Sequence, residues 1–581
     1  MPAWTSSPIR VCAGGPDMTL LQVSNLSVDF FTTRQIVHAV RDVSLAVAAG
    51  ERVGLVGESG SGKTTTALAL MRMLKPPGRI VAGSARIGDL DLVGLKGPAI
   101  RAARLKTISY IPQGAMNSLS PVLRVREQML DGLADHGIRL SAREAKARVD
   151  DALAGVGLAA SVADLFPHQL SGGMKQRVCI AIAMMLDPKI IIADEPTSAL
   201  DVISQRQVIQ TLHMAQKRIG CGMVIIGHDM GLMAQATDRI IVMKDGRIVE
   251  DAPTRRLFAA PQHAYSAELI ESVPTLGSRP SRPSGERPAA GAPFLELTGV
   301  SKTFGGGLLG GDSKQALAPI DLRIDAERPR VIAVVGQSGS GKTTLARIML
   351  GLEPPSEGQF RYRGQDVSQL SVPERARFRR EVQAIFQDPY ASFNPFYRVD
   401  HALLMPLLHL GAAGSRTEAR EAMEAACRDV GLNPREVLGR FPHELSGGQR
   451  QRLMIARALA LKPRLIVADE PVSMVDASLR MTILNNLRAL RQEHAISVVY
   501  ITHDLATAYQ VSDEVIVLYD GRLVEAGAPE RVIEKPQHAY TRALVSAIPW
   551  PDPDRNWPLV EPDRASWNQP AVVQPGATCL G

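Results

Sequence analysis

Two glycine-rich segments have the residue types and spacing that hold a phosphate group. One runs from residue 57 to 64 (GESGSGKT) and the other from 336 to 343 (GQSGSGKT). Glycines let backbone N–H groups wrap an anion, and the following helix adds its positive end. The lysine of such a motif reaches the β- and γ-phosphates, and the threonine after it binds Mg²⁺. The predicted contact residues are Gly57, Ser59, Gly60, Gly62, Lys63, Thr64, Thr65, Gly336, Ser338, Gly339, Gly341, Lys342, Thr343 and Thr344. The sequence therefore predicts two sites for ATP with Mg²⁺.

An Asp-Glu pair follows an apolar, strand-like run in each half of the chain. Asp194 and Glu195 come after IIIA, and Asp469 and Glu470 come after LIVA. An aspartate at a strand end can hold Mg²⁺ directly or through water, and the next glutamate can orient the water that attacks the γ-phosphate. A bare Asp-Glu pair is usually a solvated loop. The phosphate-binding motif in the same half favours the catalytic interpretation.

A histidine and a glutamine complete the candidate set in each half. His228 and His503 each follow a strand-like run, and their repetition beside a phosphate-binding motif predicts a γ-phosphate sensor. A lone histidine is more often structural. Gln113 and Gln387 carry a weaker signal, because an amide there could ligate Mg²⁺ or water while the loop after it senses a partner.

A Ser-Gly-Gly triplet precedes a helical pattern about 110 residues after each phosphate-binding motif. A hydroxyl, bare backbone and a helix N-terminus together form a potential second anion site. The triplet alone is more typical of a flexible turn. The six residues are Ser171, Gly172, Gly173, Ser446, Gly447 and Gly448.

The chain consists of two tandem repeats that carry the same motifs in the same order. The segments FPH, LSGG, ADEP, HD and PQHAY all recur 275 residues further on, as from Phe166 to Phe441. We expect an N-terminal tail at 1–18, domains at 19–273 and 294–548, a flexible Pro/Gly/Ser-rich linker at 274–293, and a Pro- and Trp-containing tail at 549–581. Apolar runs that alternate with helical patterns predict a mainly parallel α/β sheet in each domain.

Composition narrows the class of protein. The 581 residues are 45% hydrophobic with a net charge of +7, which excludes a long disordered chain and permits an anionic partner without requiring one. Five scattered cysteines without a CxxC pair give no support to zinc ribbons or an iron–sulfur cluster. No apolar run is long enough for a transmembrane helix, and the start, at Met1 or Met18, lacks a signal peptide. We expect a cytosolic protein whose membrane role depends on a partner.

Together these residues resemble the nucleotide-binding subunits of ATP-binding-cassette (ABC) transporters. LSGGM at 170–174 and LSGGQ at 445–449 match the family's signature sequence, and the other motifs are each present twice. The resemblance covers residues 19–273 and 294–548. It implies two tandem P-loop ABC ATPase domains of the α/β class, each with a mainly parallel sheet core, an antiparallel β subdomain and a helical subdomain.

A finer resemblance is to the oligopeptide/dipeptide/nickel importer group, with the two ATPases fused as in glutathione-importer-like proteins. NSLSP and SFNP after the glutamines, FPHQLSGGMKQR and FPHELSGGQRQR, and the PQHAY segments carry this likeness. It implies an ATPase that energises import of di- or oligopeptides, or a related small solute, by ATP-driven closure of its domains. The implied partners are two transmembrane permeases and, indirectly, an extracytoplasmic solute-binding protein. The implied location is peripheral, at the cytoplasmic face of the inner membrane.

The family architecture implies that each half completes the other half's site. The residues of one P-loop would face Ser446, Gly447, Gly448, Gln449 and Asp476, and those of the other would face Ser171, Gly172, Gly173 and Asp201. By the same analogy Phe30 and Phe304 stack on adenine, although both also suit a core. Met174 replaces the usual signature glutamine, and SMVD at 473–476 departs from the commoner SALD. Two hydrolysis-competent sites are therefore expected, with equal or unequal rates.

Two other functions fit parts of the pattern. A soluble tandem ABC ATPase that acts on ribosomes or nucleic acid also lacks membrane spans, but the linker here is short and Pro-rich and zinc cysteines are absent. A fused sugar-importer ATPase commonly has a degenerate second half, and both halves are intact here. We therefore expect no nucleic-acid partner and favour the peptide-type importer, with the solute left open.

Overall fold

The computed structural model describes eleven stretches of the chain. They are 19–33, 35–114, 118–198, 200–274, 293–305, 313–325, 327–386, 392–472, 477–555, 557 and 564–573. The expected tail at 1–18, nearly all of the expected linker, and the candidate residues Gln387 and Asp476 lie outside the described residues. The chain forms two compact units. Unit 1 consists of Met1–Leu200, Ser204–Val273 and Pro549–Leu559, and unit 2 of Asp201–Ile203, Pro274–Ile548 and Val560–Gly581.

Unit 1 alternates strands with helices along the chain. Its strands are β1 (Thr19–Phe31), β2 (Ile36–Ala48), β3 (Arg52–Val56), β4 (Gly78–Ile87), β5 (Leu90–Asp91), β6 (Ile108–Ile111), β7 (Ile190–Asp194), β8 (Gly222–Gly227), β9 (Arg239–Lys244) and β10 (Arg247–Pro253). Its helices are α1 (Lys63–Leu70), α2 (Pro98–Ala103), α3 (Val125–Asp135), α4 (Ala142–Gly155), α5 (Gly172–Met184), α6 (Val202–Ile219), α7 (Met230–Ala236), α8 (Thr254–Ala259) and α9 (Ala264–Glu271), with 3₁₀ turns at Ala160–Asp164 and Pro167–Gln169.

The central sheet of unit 1 is parallel and buried on both faces. Its strand order is β10-β9-β3-β8-β7-β6, with only β10 antiparallel to its neighbour. Along β7, Ile190 and Ile192 pack into the core shared with the antiparallel sheet, while Ile191 and Ala193 pack into the core shared with the helices. This double burial explains the continuous apolar run in the sequence. It also places the chemistry-bearing residues at the carboxyl ends of the strands, where the apolar runs stop.

A second sheet and a group of helices flank that core. The antiparallel sheet has the order β2-β1-β4-β5 and packs its apolar side chains against one face of the parallel sheet. Helices α3, α4 and α5 contribute Met129, Leu153 and Ile180 to the core on the other face. Each unit therefore has the α/β architecture that the sequence predicts, with an antiparallel β subdomain and a helical subdomain.

Unit 2 repeats this order of elements. Its strands are β11 (Pro293–Phe304), β12 (Lys314–Asp325), β13 (Val331–Val335), β14 (Glu357–Tyr362), β15 (Gln365–Asp366), β16 (Val382–Ile385), β17 (Leu465–Asp469), β18 (Ser497–Thr502), β19 (Glu514–Tyr519), β20 (Arg522–Gly527) and β21 (Val572–Val573). Its helices are α10 (Lys342–Met349), α11 (Val372–Glu381), α12 (Val399–His409), α13 (Arg416–Asp429), α14 (Pro434–Val437), α15 (Gly447–Ala460), α16 (Ala477–His494), α17 (Leu505–Val511) and α18 (Ala539–Ser546), with short turns at Val367–Gln369, Pro442–Glu444, Glu530–Glu534 and Arg564–Asn568.

The sheets of unit 2 differ from those of unit 1 by one added strand. The main sheet has the order β16-β17-β18-β13-β19-β20-β21, and the antiparallel sheet has the order β12-β11-β14-β15. The extra strand β21 pairs in parallel with β20, and Trp567, just before it, is 3% exposed. Part of the expected C-terminal tail therefore packs on this unit. Within the stretches given above, no helix is both long and apolar enough to cross a membrane.

Candidate nucleotide sites

Each phosphate-binding loop joins a central strand to a helix. The loop of unit 1 leaves β3 at Val56 and enters α1 at Lys63. Gly57 has a φ of +149°, and a Cβ built on it would lie 2.2 Å from the carbonyl oxygen of Met243. Gly336 has a φ of +154° and the same 2.2 Å distance to the carbonyl oxygen of Leu518. The first glycine of each motif is therefore required by both its dihedral angle and the backbone beside it.

The lysine of each loop lies inside the loop that it follows. Lys63 Nζ donates to the carbonyl oxygens of Gly57 at 2.8 Å and of Glu58 at 2.7 Å. Lys342 Nζ makes the same two bonds, at 2.8 and 2.7 Å, to residues 336 and 337. Each lysine is 6% exposed. Each loop thus holds a buried positive charge against its own backbone carbonyl groups. Burial lowers the pKa of Lys342, and the charge of Glu470 partly opposes that shift.

The aspartate at the end of β7 gathers hydroxyl donors. Thr64 Oγ1 donates to Asp194 Oδ1 at 3.2 Å, and the hydroxyl of Tyr110 donates to Asp194 Oδ2 at 2.9 Å. Burial raises the pKa of Asp194, and these two hydrogen bonds oppose the rise. In unit 2, burial likewise raises the pKa of Asp469, and the hydrogen bond from Thr343 opposes it. Each unit therefore brings a threonine hydroxyl and a carboxylate together, and their role as Mg²⁺ ligands stays a prediction.

The glutamate after this aspartate is held by two side chains in unit 1. His228 Nδ1 lies 3.3 Å from Glu195 Oε1, and Gln113 Nε2 donates to Glu195 Oε2 at 2.8 Å. The glutamate has a φ of +45°, a left-handed conformation that costs energy in a residue with a Cβ. Burial alone would raise the pKa of Glu195, but the hydrogen bond and charge of His228 lower it overall. A partly buried carboxylate is thus kept ionised beside the phosphate loop.

Unit 2 repeats the glutamate–histidine pair. His503 Nδ1 lies 3.0 Å from Glu470 Oε1, and the glutamate has a φ of +46°. Burial alone would raise the pKa of Glu470, but His503 lowers it overall. Burial alone would lower the pKa of His503, but Glu470 raises it overall. The two groups stabilise each other's charged forms.

Each signature serine begins a long helix. Ser171 Oγ accepts from the backbone N–H of Met174 at 3.3 Å at the start of α5, and Ser446 Oγ accepts from that of Gln449 at 3.2 Å at the start of α15. Gln449 Oε1 also accepts from the backbone N–H of Ser446 at 3.0 Å, which closes a capping box. The Met174 side chain has no oxygen to make this bond. Helix α5 therefore has the hydrogen bond to the serine hydroxyl but lacks the second bond, from the serine N–H to the side chain three residues later, that completes the capping box of α15.

The two candidate adenine-stacking phenylalanines and Asp201 differ in how far they are buried. Phe30 lies in β1 and packs partly buried against the core of the antiparallel sheet. Phe304, at the end of β11, is 44% exposed, with Lys302 Nζ 5.1 Å from its ring centroid. Asp201 is buried directly before α6. Adenine stacking by the two phenylalanines stays a prediction.

The tyrosine that ends each PQHAY segment contacts a phosphate loop, although it is not among the site residues that the sequence predicts. The hydroxyl oxygen of Tyr265 accepts from the backbone N–H of Glu58 in the phosphate loop at 2.9 Å, and that of Tyr540 accepts from Gln337 N–H at 2.9 Å. The histidine two residues earlier caps the same helix, as His263 Nδ1 accepts from Tyr265 N–H at 3.1 Å. The recurrence of the whole segment was the available signal. These tyrosines support the phosphate loops from outside the familiar motifs.

Comparison with known families agrees with this arrangement. The ABC transporter family profile matches residues 40–198 and 320–473. A second profile, for the C-terminal region of oligopeptide/dipeptide transporters, matches residues 249–295 and 524–579. The second profile spans both PQHAY segments. The two profiles therefore alternate twice along the chain.

Curated relatives match almost the whole chain. It is 39% identical to the glutathione import ATP-binding protein GsiA of Pectobacterium atrosepticum, over 93% of this chain and 91% of that protein. It is 38% identical to the protein of the same name in Escherichia coli O6:H1, again over 93% and 91%. Among solved structures, the complex of the archaeal ribosomal stalk protein aP1 and the ribosome recycling factor aABCE1 covers 90% of this chain and 92% of that chain, with a TM-score of 0.55 and 19% identity. That likeness shows the fold alone. By its repeated family match and its extensive identity to these relatives, the chain belongs to the ABC transporter family, as an ATP-binding ATPase subunit with two tandem units.

Proposed function

We propose that this ATPase uses ATP and Mg²⁺ to energise import of a di- or oligopeptide or a related small solute such as glutathione. The observation that carries the proposal is the repeated Glu–His pair beside a phosphate loop, Glu195 with His228 and Glu470 with His503. Both units hold this pair, so both are equipped for hydrolysis. The relatives' import of glutathione and the match to the peptide-transporter C-terminal region support the solute class.

The donor set beside each loop fits Mg²⁺. Thr64 and Asp194 offer a hydroxyl and a carboxylate oxygen 3.2 Å apart, and hard oxygen donors of this kind suit that ion. Gln113 would add an amide oxygen, and Thr343 with Asp469 would serve unit 2. Mg²⁺, when bound, neutralises charge on the β- and γ-phosphates.

The side chains around each phosphate loop have separate roles in ATP hydrolysis. Lys63 places its charge inside the loop, where phosphate oxygens bind. Glu195 is the acceptor for a proton of the attacking water, because its lowered pKa keeps it ionised at neutral pH. His228 holds one carboxylate oxygen and Gln113 the other, which fixes the direction of the carboxylate. Removing this base should slow hydrolysis by about 10²–10⁴-fold.

Coupling to transport requires a contact that depends on the γ-phosphate. We infer from the family resemblance that Ser171 and Ser446, each at a helix N-terminus, bind the nucleotide held by the opposite unit. Charge-assisted hydrogen bonds of this kind contribute about 1.5–3 kcal/mol each. ATP would favour the closed state through these contacts, and hydrolysis would weaken it.

The permeases would dock beside the glutamine loops. Two exposed apolar pairs lie at equivalent positions, directly before α3 and α12: Val122 and Leu123, 77% and 37% exposed, and Phe396 and Tyr397, 86% and 51% exposed. We call these four residues the docking residues. Large apolar side chains in the same exposed place in both units indicate an interaction surface.

The complex would sit at the cytoplasmic face of the inner membrane, supplied with solute by an extracytoplasmic binding protein.

Co-expression with candidate permeases of the peptide-importer type tests this function. We expect the purified chain to carry both permeases, and the double variant Val122→Asp/Phe396→Asp to lose them while it still binds ATP. Val372→Asp is the matched control, because Val372 is 84% exposed at the start of α11 and is not one of the docking residues. Purification with ribosomes or nucleic acid and without permeases would contradict the proposal. Uptake of labelled peptides and of glutathione by the reconstituted complex then identifies the solute.

A further inference from the structure

Both carboxylate oxygens of the unit 1 aspartate are engaged. Thr64 donates to Oδ1 of Asp194, and the Tyr110 hydroxyl donates to Oδ2 at 2.9 Å from the neighbouring strand β6. Asp194 is 0% exposed. The phenol therefore fixes the rotation of a carboxylate that solvent does not reach.

Unit 2 lacks this phenol. Tyr110 pairs with Ile192 in the sheet register, and Ala384 pairs with Val467, each two residues before the aspartate of its unit. The alanine side chain has no polar atom to offer Asp469. The two aspartates thus stand in the same place in the sheet with different neighbours.

A second difference accompanies the first. Arg347 on α10 occupies the position of Leu68 on α1, five residues after the lysine of each loop. Burial raises the pKa of Asp469, and the charge of Arg347 is among the smaller effects that oppose this rise, whereas Leu68 carries no charge. The hydrogen-bonding phenol beside the aspartate of unit 1 is thus replaced by an alanine at the equivalent position of unit 2.

We propose that Tyr110 is a positioning residue that orients Asp194 toward Mg²⁺ in unit 1, a role that the alanine at the equivalent position of unit 2 cannot fill. The inference rests on the proposed role of the two aspartates as metal ligands. It makes the two sites unequal in how they hold the metal, although both keep the catalytic pair. Removing an outer partner of a metal-ligating group weakens metal affinity by about 10–100-fold.

Metal binding measured without turnover tests the proposal. The full chain would carry Glu195→Gln and Glu470→Gln to stop hydrolysis and Lys342→Ala to confine nucleotide to unit 1. Titration with Mn²⁺ in the presence of ATP, followed by electron paramagnetic resonance, gives the metal affinity. We expect Tyr110→Phe to weaken it about tenfold and to leave affinity for ATP in EDTA unchanged.

Two further variants separate positioning from folding. Tyr362→Phe is the matched control, because it removes a phenol bonded to the carboxylate of Glu381 at 2.8 Å within unit 2, and it should leave Mn²⁺ affinity unchanged. Tyr110→Ala gives unit 1 the residue of unit 2 and should weaken Mn²⁺ binding at least as much as Tyr110→Phe. Unchanged or tighter Mn²⁺ binding by Tyr110→Phe would overturn the inference. No ATP-dependent Mn²⁺ binding by the parent chain would instead overturn the proposed metal site itself.

Discussion

The tyrosine of each PQHAY segment gives a sharp test of how the phosphate loops are held. Tyr265 is 3% exposed, and its hydroxyl oxygen accepts the backbone N–H of Glu58 at 2.9 Å. Its helix is itself fixed, because the carboxylate of Glu250 accepts the backbone N–H groups of Gln262 and His263 at 2.8 and 3.0 Å. A Tyr265→Phe change removes one oxygen atom and keeps the ring in place.

The size of the effect follows from that one hydrogen bond. Leaving a buried donor without its acceptor costs about 1–3 kcal/mol, and 1.4 kcal/mol corresponds to about a factor of ten. The loop would adopt its phosphate-binding conformation in a smaller fraction of molecules, and apparent affinity falls by that fraction. We therefore expect Tyr265→Phe to weaken ATP binding in unit 1 by about tenfold.

Equilibrium binding of a fluorescent ATP analogue measures this change. Lys342→Ala confines the analogue to unit 1, and Lys63→Ala confines it to unit 2, where Tyr540→Phe should have the same effect. Tyr362→Phe, whose phenol bonds elsewhere, should leave both affinities unchanged. Unaltered affinity in the Tyr265→Phe protein, with its thermal unfolding also unaltered, would refute the reasoning.

Two other perturbations have directions fixed by the structure. Gly57→Ala should abolish nucleotide binding in unit 1, because the new Cβ would meet the Met243 carbonyl at 2.2 Å; parent-like binding of the analogue would contradict this. Burial, followed by the charge of Arg52, lowers the pKa of His213 to about 4. The unfolded chain therefore binds this proton first, and stability present above about pH 6.5 is lost as pH falls toward 4. We expect a loss of about 1 kcal/mol between pH 7.5 and 5.5 in denaturant unfolding, which His213→Gln removes; an equal slope in both proteins would exclude His213 as its source.

The sequence alone predicts the residues whose chemistry is tied to their type. Few other residue types could bind phosphate, hold a metal ion or accept a proton at the same spacing. This makes the phosphate loops, the Asp-Glu pairs and the histidines recognisable. The repeated period predicts two modules, and the apolar runs before Asp194 and Asp469 predict strands buried on both faces. The capping box formed by Ser446 and Gln449 is also predictable from the sequence, since Ser followed three residues later by Gln is its pattern.

The supporting residues could not be predicted in the same way. Tyr110 and Asp194 lie 84 residues apart in the chain, and Tyr265 lies 207 residues from Glu58. These contacts exist only because neighbouring strands and a distant helix converge in the folded unit. Trp567 is a similar case, since the Pro-rich composition around it does not indicate whether the tail packs, whereas the residue is 3% exposed with its ring against Tyr519 and Tyr540.

We propose that each unit hydrolyses ATP with a glutamate that a histidine orients. The most direct measurement compares ATP hydrolysis and ATP binding in the parent chain and in the Glu195→Gln/Glu470→Gln variant. We expect the variant to bind ATP with parent-like affinity and to hydrolyse it about 10²–10⁴-fold more slowly. Hydrolysis at the parent rate in that variant would contradict the account.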